Sequence, residues 1–292
     1  MNAITDNTVL PASTGAARSI GDILVSSGRL SNADAERVFQ RQQSDNSQFG
    51  DAAQALKLLT REDVDFALSK QFDYSYLSIQ DTSLSPELIA AYQPFSRVGE
   101  NLRAVRSQLM LRWFNNDPAH KVIAMVSSGQ NEGRSFVAAN LAIVFAQQGQ
   151  RTLLIDANLR KPRQHELFLL GKGAGLSGIL ADRAGIEAAL QVRGLAGLSV
   201  LPAGAVPPNP QELLGRPAFG TLLQAAAEQF DVVIVDAPAG TDYADAEIIS
   251  SRAGAAVVVT RKNRSLVPDT ALLVRRLQNS GVVVVGSVLN DD

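Results

Sequence analysis

The chain reads as an α/β protein: a mostly parallel sheet with helices on both faces, preceded by a small helical repeat domain. Three observations predict this. From residue 121 onward, short apolar runs rich in Val, Ile and Leu alternate with helical patterns. Near-continuous apolar strands between helices make a parallel sheet covered on both sides. One of those runs, 122–126, leads into a glycine-bearing turn and then a helix. Residues 20–42 reappear as 49–71 at a constant offset of 29, which marks two copies of one unit.

Taken in order, residues 1–17 are small and polar, with Thr, Ser, Pro and Gly, and read as a disordered tail. The repeat domain is expected over 18–79. Gly21 aligns with Gly50, Asp22 with Asp51, Leu30 with Leu59, Ser31 with Thr60, Asp34 with Asp63 and Gln42 with Gln71. Each copy is predicted as a short helix, a turn and a capped helix. Ser31 and Thr60 stand three residues before Asp34 and Asp63, a capping box with Asp in place of Glu. Residues 80–97, with Asp81, Ser83, Ser85, Pro86 and Pro94, read as a hinge-like linker holding a short helix at 88–92. A helix at 98–113 opens the larger domain, 98–292. Its strands are expected at 122–126, 152–155, 198–201, 232–235, 256–259 and 282–288. Its further helices are expected at 135–148, 217–228, 244–252 and 268–279.

Composition narrows the function. A length of 292 residues holds one medium domain and a smaller one. Hydrophobic content of 46% with 19% charged residues is ordinary globular usage. The net charge of −2 advertises no polyanion-binding surface, so nucleic acid is not an expected partner. The sequence has no cysteine, which removes disulfide and thiol chemistry and fits a reducing compartment. The longest apolar runs, such as 255–259 and 282–285, fall well short of the roughly 20 residues of a membrane helix. The first residues carry no apolar run of the signal-peptide kind. The expected location is cytoplasmic, peripheral on the inner membrane only through a partner.

A strand that feeds a glycine-bearing turn and a helix N-terminus cradles phosphate, because orphan backbone N–H groups and the helix dipole both favour an anion. Ser128, Gly129, Gln130, Asn131, Glu132, Gly133, Arg134, Ser135 and Phe136 are therefore the expected nucleotide-binding residues. Gly133 lets the backbone come close to phosphate, and Ser135 has the hydroxyl expected on Mg²⁺. The P-loop pattern has Gly-Lys-Ser/Thr at this point. Arg134 keeps the lysine's charge but replaces a compact ammonium with a planar fork. Asp156 and Asp236 each end an apolar strand. Carboxylates at the C-terminal ends of parallel strands stand in the crevice where open α/β sheets bind ligands, able to hold Mg²⁺ or polarise a hydroxyl. Either aspartate could instead only cap the turn that follows it. His120 and His165 are far apart in sequence and suggest no metal site.

Three stretches carry a family resemblance. Gly133-Arg134-Ser135, the run from 153 to Arg160 followed by Pro162 and His165, and Ile234-Val235-Asp236-Ala237-Pro238 resemble, in that order, the Walker A, A′ and B motifs of the bacterial tyrosine kinases. The resemblance covers roughly residues 95–292. It implies a P-loop fold unrelated to that of eukaryotic protein kinases, ATP and Mg²⁺ as cofactors, and a part in exopolysaccharide polymerisation and export. It also implies catalytic roles for Asp156, Arg134 and Asp236: Arg134 neutralises the β and γ phosphates, and Asp156 orients or deprotonates the tyrosine hydroxyl. Mg²⁺ would be held by Ser135, Asp236 and Asp156. Glu100, Arg103 and Arg106, at spacings of three on one helical face, match the family's Glu-x-x-Arg-x-x-Arg oligomerisation motif and imply a homo-oligomer. Pro207-Pro208-Asn209-Pro210 and the ending Gly286-Ser287-Val288-Leu289-Asn290 resemble the chain-length-determinant subgroup. That subgroup implies an inner-membrane polysaccharide chain-length determinant protein as partner.

The chain also departs from the pattern. Asn158 stands where the family has a second Walker A′ aspartate, and Ala239 replaces the second Walker B proline. The family's C-terminal tyrosine cluster is missing, which leaves Tyr74, Tyr76, Tyr92 and Tyr243. Gly129 stands where ParA/MinD-type ATPases carry an extra lysine. The 20–71 repeat resembles the N-terminal domain of type II secretion and type IV pilus ATPases, whose Arg-Leu-Gly…Gln motifs bind cyclic di-GMP. Gly21, Gln42, Gly50 and Gln71 match that motif, but its arginine is displaced to Arg18 in one copy and is Gln48 in the other. The repeat is open to two readings, a cyclic di-GMP site or a helical docking module for a protein partner, and the chain to three: an ATP-dependent tyrosine kinase of exopolysaccharide chain length, a catalytically weak or inactive nucleotide-binding regulatory subunit of the same machinery that could sense cyclic di-GMP through the repeat, and a hydrolytic ATPase.

Overall fold

A computed structural model describes residues 19–71, 76–78, 81–115, 117–171 and 173–291. The tail expected at 1–17, and Tyr74, lie outside them. The chain divides into two compact units, Met1–Tyr74 and Ser75–Asp292.

The first unit is the repeat made physical. Helices α1 (Ile20–Ser26) and α2 (Asn32–Asp45) are followed by α3 (Phe49–Ala55) and α4 (Arg61–Gln71), whose starts repeat at the sequence offset. Ser31 Oγ accepts from the Asp34 amide at 3.1 Å, and Thr60 and Asp63 exchange the two bonds of a capping box at 3.2 and 3.0 Å. Ile23, Leu24, Leu30, Val38, Leu59 and Val64 close a small core. The repeated glycines serve that core: a Cβ on Gly50 would stand 2.7 Å from Val64, and one on Gly21 would touch the Phe49 ring.

The second unit holds a seven-stranded sheet in the order β3-β4-β2-β5-β1-β6-β7. Its elements run α5 (Ile89–Tyr92), α6 (Arg97–Arg112), β1 (Val122–Ser127), α7 (Arg134–Ala146), β2 (Thr152–Asp156), α8 (Gln164–Leu167), α9 (Leu176–Leu180), β3 (Leu190–Gln191) and β4 (Leu198–Leu201). Then follow α10 (Pro210–Gly215), α11 (Pro217–Gln229), β5 (Val232–Ala239), α12 (Asp245–Ala253), β6 (Ala255–Arg261), α13 (Val267–Asn279) and β7 (Val283–Asn290). All strand pairs are parallel except the short β3 against β4. Alternate residues of each central strand enter opposite cores, as the strand's period of two requires. Ile123, Met125, Leu154 and Ile234 face α5, α6 and α7. Val122, Val126, Ile155 and Val235 face α11, α12 and α13 through Phe219, Ile249 and Leu273.

One expectation is corrected here. The stretch 80–97 is not a hinge over its described residues. Leu84, Leu88, Ala90, Ala91 and Tyr92 are buried in the core over α7. Asn140, fully buried on α7, accepts from the Ala90 amide at 2.9 Å and donates to the Glu87 carbonyl at 3.2 Å. The prolines and serines shape a close-packed strap in which side chains of α7 and its C-cap satisfy the Glu87 carbonyl and the Ala90 backbone. The boundary between units accordingly falls at Tyr74/Ser75.

Candidate nucleotide and phosphotransfer site

The site is built where β1 passes into α7. Gly133 caps the helix with φ +87°, a backbone state that a side chain disfavours. A Cβ there would also run into the Asn290 amide at the end of β7. The first turn of α7 leaves its N–H groups without intrahelical partners, aimed at the space before the helix. From outside, the loop is fastened by its carbonyls: Arg264 donates to Gln130 O at 3.2 Å, Arg261 to Asn131 O at 3.1 Å and Asn290 to Glu132 O at 3.4 Å. Glu132 is folded back into the loop, where its carboxylate accepts from the Gly129 amide, Ser128 Oγ and Ser265 Oγ. Its side chain is a structural brace for the turn.

In front lies a cleft of about 560 Å³, within the range of small-molecule sites. Of the expected nucleotide residues, Gln130, Asn131, Glu132, Gly133, Arg134 and Ser135 line it. Ser128, Gly129 and Phe136 do not: Ser128 is buried beneath the loop and Phe136 packs into the α7 core. The opposite wall carries Asn158, Arg160, Lys161, Arg163 and Tyr243, with Pro207 and Pro208 at the rim. Three cations and a helix N-terminus around one space fit a polyphosphate.

Asp156 and Asp236 sit side by side in register on β2 and β5, both fully buried. Neither lines the cleft. Asp156 accepts from the amides of Asn158, Arg163 and Gln164 at 3.2, 2.9 and 2.9 Å. Burial and the neighbouring charge of Asp236 push its carboxyl up to about 7 despite those three bonds. Asp236 is bound on one oxygen by Arg134 Nε at 3.2 Å and on the other by Gln164 Nε2 at 2.8 Å. The guanidinium of Arg134, expected among the phosphates, is turned inward and also donates to Ser127 Oγ at 2.6 Å. Of the three residues expected on Mg²⁺, only Ser135 reaches the cleft. Among the described residues no cluster of three His, Cys, Asp or Glu side chains could hold a metal. The donor set therefore fits phosphate directly. It fits Mg²⁺ through the Ser135 hydroxyl and phosphate oxygens, in keeping with a cation that takes few protein ligands.

Gln164 escaped sequence reasoning. It is fully buried; its amide group donates to Asp236 and, at 3.1 Å, to the Ser135 carbonyl, while its backbone N–H bonds Asp156. One residue thus ties both aspartates to the first turn of α7. A polar residue eight positions past Asp156, on a helix of four residues, carries no pattern that announces this.

The oligomerisation residues lie on α6. Arg103 bonds Glu100 at 2.6 Å and the Pro94 carbonyl at 2.6 Å, and Arg106 bonds the Val144 carbonyl at 2.9 Å. All three are thus engaged within the chain, Glu100 through Arg103, and Glu100 is the exposed member.

A strand–loop–helix phosphate cradle at the carboxyl edge of a parallel sheet, backed by two in-register carboxylates, defines a P-loop nucleotide-binding protein. Comparison narrows the class: the chain belongs to the bacterial protein-tyrosine kinase family, P-loop transferases. It is 35% identical over 203 residues to tyrosine-protein kinase YwqD of Bacillus subtilis, covering 70% of this chain and 85% of that one. It is 34% identical over 217 residues to a cps-region relative from Klebsiella pneumoniae, covering 73% of this chain and 29% of that longer one. Among solved structures, the kinase domain of Escherichia coli tyrosine kinase Etk superposes with a TM-score of 0.67 at 33% identity, over 73% of this chain and 84% of that one. No protein-family model matches the chain. Among the described residues, no helix is long and apolar enough to cross a membrane.

Proposed function

We propose that this chain uses ATP to phosphorylate tyrosine and that it acts in exopolysaccharide polymerisation beside an inner-membrane chain-length determinant protein. The observation that carries the chemistry is the Asp156–Asp236 pair directly behind the α7 N-terminus, with Asp156 titrating at about 7. A general base works best with a pKa near the operating pH and can act through one water, which suits a carboxylate set just behind the cleft wall. The α7 N–H groups and Ser135 would hold the β and γ phosphates, with Lys161 and Arg163 facing them. Phosphate oxygens would offer the Arg134 guanidinium a bidentate partner besides Asp236, and Ser135 would be the residue that holds Mg²⁺ with them. Mg²⁺ would offset the charge of the transferring phosphoryl group. The kinship with a cps-region protein supports the polysaccharide role, and the Glu100, Arg103 and Arg106 motif on α6 is the ground for self-association through that helix.

The test is transfer of γ-phosphate to a synthetic Glu/Tyr copolymer by the purified full chain with MgATP, beside a binding titration. Phosphotyrosine in the copolymer supports the reading. ATP binding with no transfer, with or without the cytosolic segment of the membrane partner, would favour the regulatory alternative that Asn158 suggests.

A further inference from the structure

We propose that Tyr243 is a phosphoacceptor of this chain and takes the γ-phosphoryl group of ATP inside the cleft that the P-loop lines. The proposal rests on the kinase reading above. Tyrosine is scarce here, four residues in the whole sequence. Tyr92 is sealed: it is 8% exposed, and its hydroxyl donates to the Leu84 carbonyl at 2.9 Å and accepts from the Leu84 amide at 3.1 Å. Tyr76 is half-buried, with its ring edge-on to Phe95, and does not line the cleft. Tyr243 is 46% exposed and shares the cleft with Gly133, Arg134 and Ser135.

The surroundings of Tyr243 are organised. Its ring lies under the guanidinium of Arg160, 3.6 Å from the ring centroid. Arg160 is itself clamped by buried Asp245 through bonds of 2.7 and 3.1 Å. A cation stacked on the ring fixes the ring plane and stands, with Lys161 and Arg163, on the same cleft wall. That wall suits a phosphomonoester, which brings nearly two negative charges and three acceptor oxygens. In the step, the Tyr243 oxygen bonds to the γ-phosphorus and the bond from that phosphorus to the bridging oxygen breaks. ADP leaves with the electron pair, and the phenolic proton passes to water in the cleft.

The full chain is incubated with MgATP, its phosphotyrosines are mapped by mass spectrometry beside Tyr243→Phe, and the Glu/Tyr copolymer is present as an independent acceptor. Phosphate on Tyr243 that disappears in the variant is the expected result. Phosphate on other tyrosines only, or on the copolymer only, overturns the proposal and leaves the kinase reading intact. Label on neither overturns both. A second readout needs no turnover: nitration of Tyr243 by tetranitromethane should slow severalfold when a non-hydrolysable ATP analogue is bound. Unchanged nitration with the analogue bound would put Tyr243 away from the nucleotide and defeat the proposal.

Discussion

Asp156 and Gln164 are the residues on which the chemistry turns. The folded Asp156 carboxyl sits at about 7, above its ordinary 3.8, so between those values the folded chain holds a proton that the unfolded chain releases. Its contribution to stability therefore falls as pH rises through that window. Urea unfolding at pH 5 and pH 8 should show a larger loss of stability in the native chain than in Asp156→Ala. Phosphotransfer should move the opposite way and rise with pH to half-maximum near 7, because only the ionised carboxylate accepts a proton. A second expectation concerns Gln164→Leu, which strips the donor from the Asp236 carboxylate and the Ser135 carbonyl while roughly keeping volume. Stranding buried acceptors costs about 1–3 kcal/mol, readable in urea denaturation. The sequence announced Asp156, Asp236 and the Gly133-Arg134-Ser135 turn, because strand ends and glycine turns leave local patterns. It could not announce where the Arg134 guanidinium points, since that depends on Ser127 and Asp236, more than 100 residues apart in the chain.

Among the elements, α7 organises the larger unit. It is buried along nearly all its length, with the sheet on one side and α5 and α6 on the other. The Gly133 cap sets its approach angle. Gly133→Ala places a side chain at φ +87° and against Asn290. Strain in the left-handed region costs on the order of 1 kcal/mol or more, and displacement of the turn should weaken ATP binding at least tenfold in a titration. Most strands and long helices were legible in the sequence to within a few residues, since apolar runs between helices have few other readings. The strap 81–97 was not. Prolines and serines give the composition of a hinge, and it takes Asn140 on α7 and Gln147 at its C-cap, which bond Ala90, to turn it into core. Short elements such as α8, α9 and antiparallel β3 likewise carry too few residues for a period to emerge.

For the whole molecule, the two units have unequal means. The first closes over a small cluster around Leu24, Val38 and Ala53, and the second encloses both faces of a seven-stranded sheet. Small cores are the less stable. Thermal unfolding of the full chain should resolve two transitions, and MgATP should raise only the one belonging to the sheet unit, since a ligand stabilises what it binds by mass action. A single transition shifted as a whole would mean that the units unfold together.

The central claim is that the P-loop and the aspartate pair behind it perform phosphoryl transfer to tyrosine. The most direct measurement is phosphotyrosine formed by the purified full chain with Mg²⁺ and γ-labelled ATP, beside Asp156→Ala, with ATP binding measured for both. The account predicts tyrosine label in the native chain and a loss of at least a hundredfold in the variant, the scale of a lost general base, with ATP binding within a few-fold. Equal label in both chains, or ATP binding with no label in either, would contradict it.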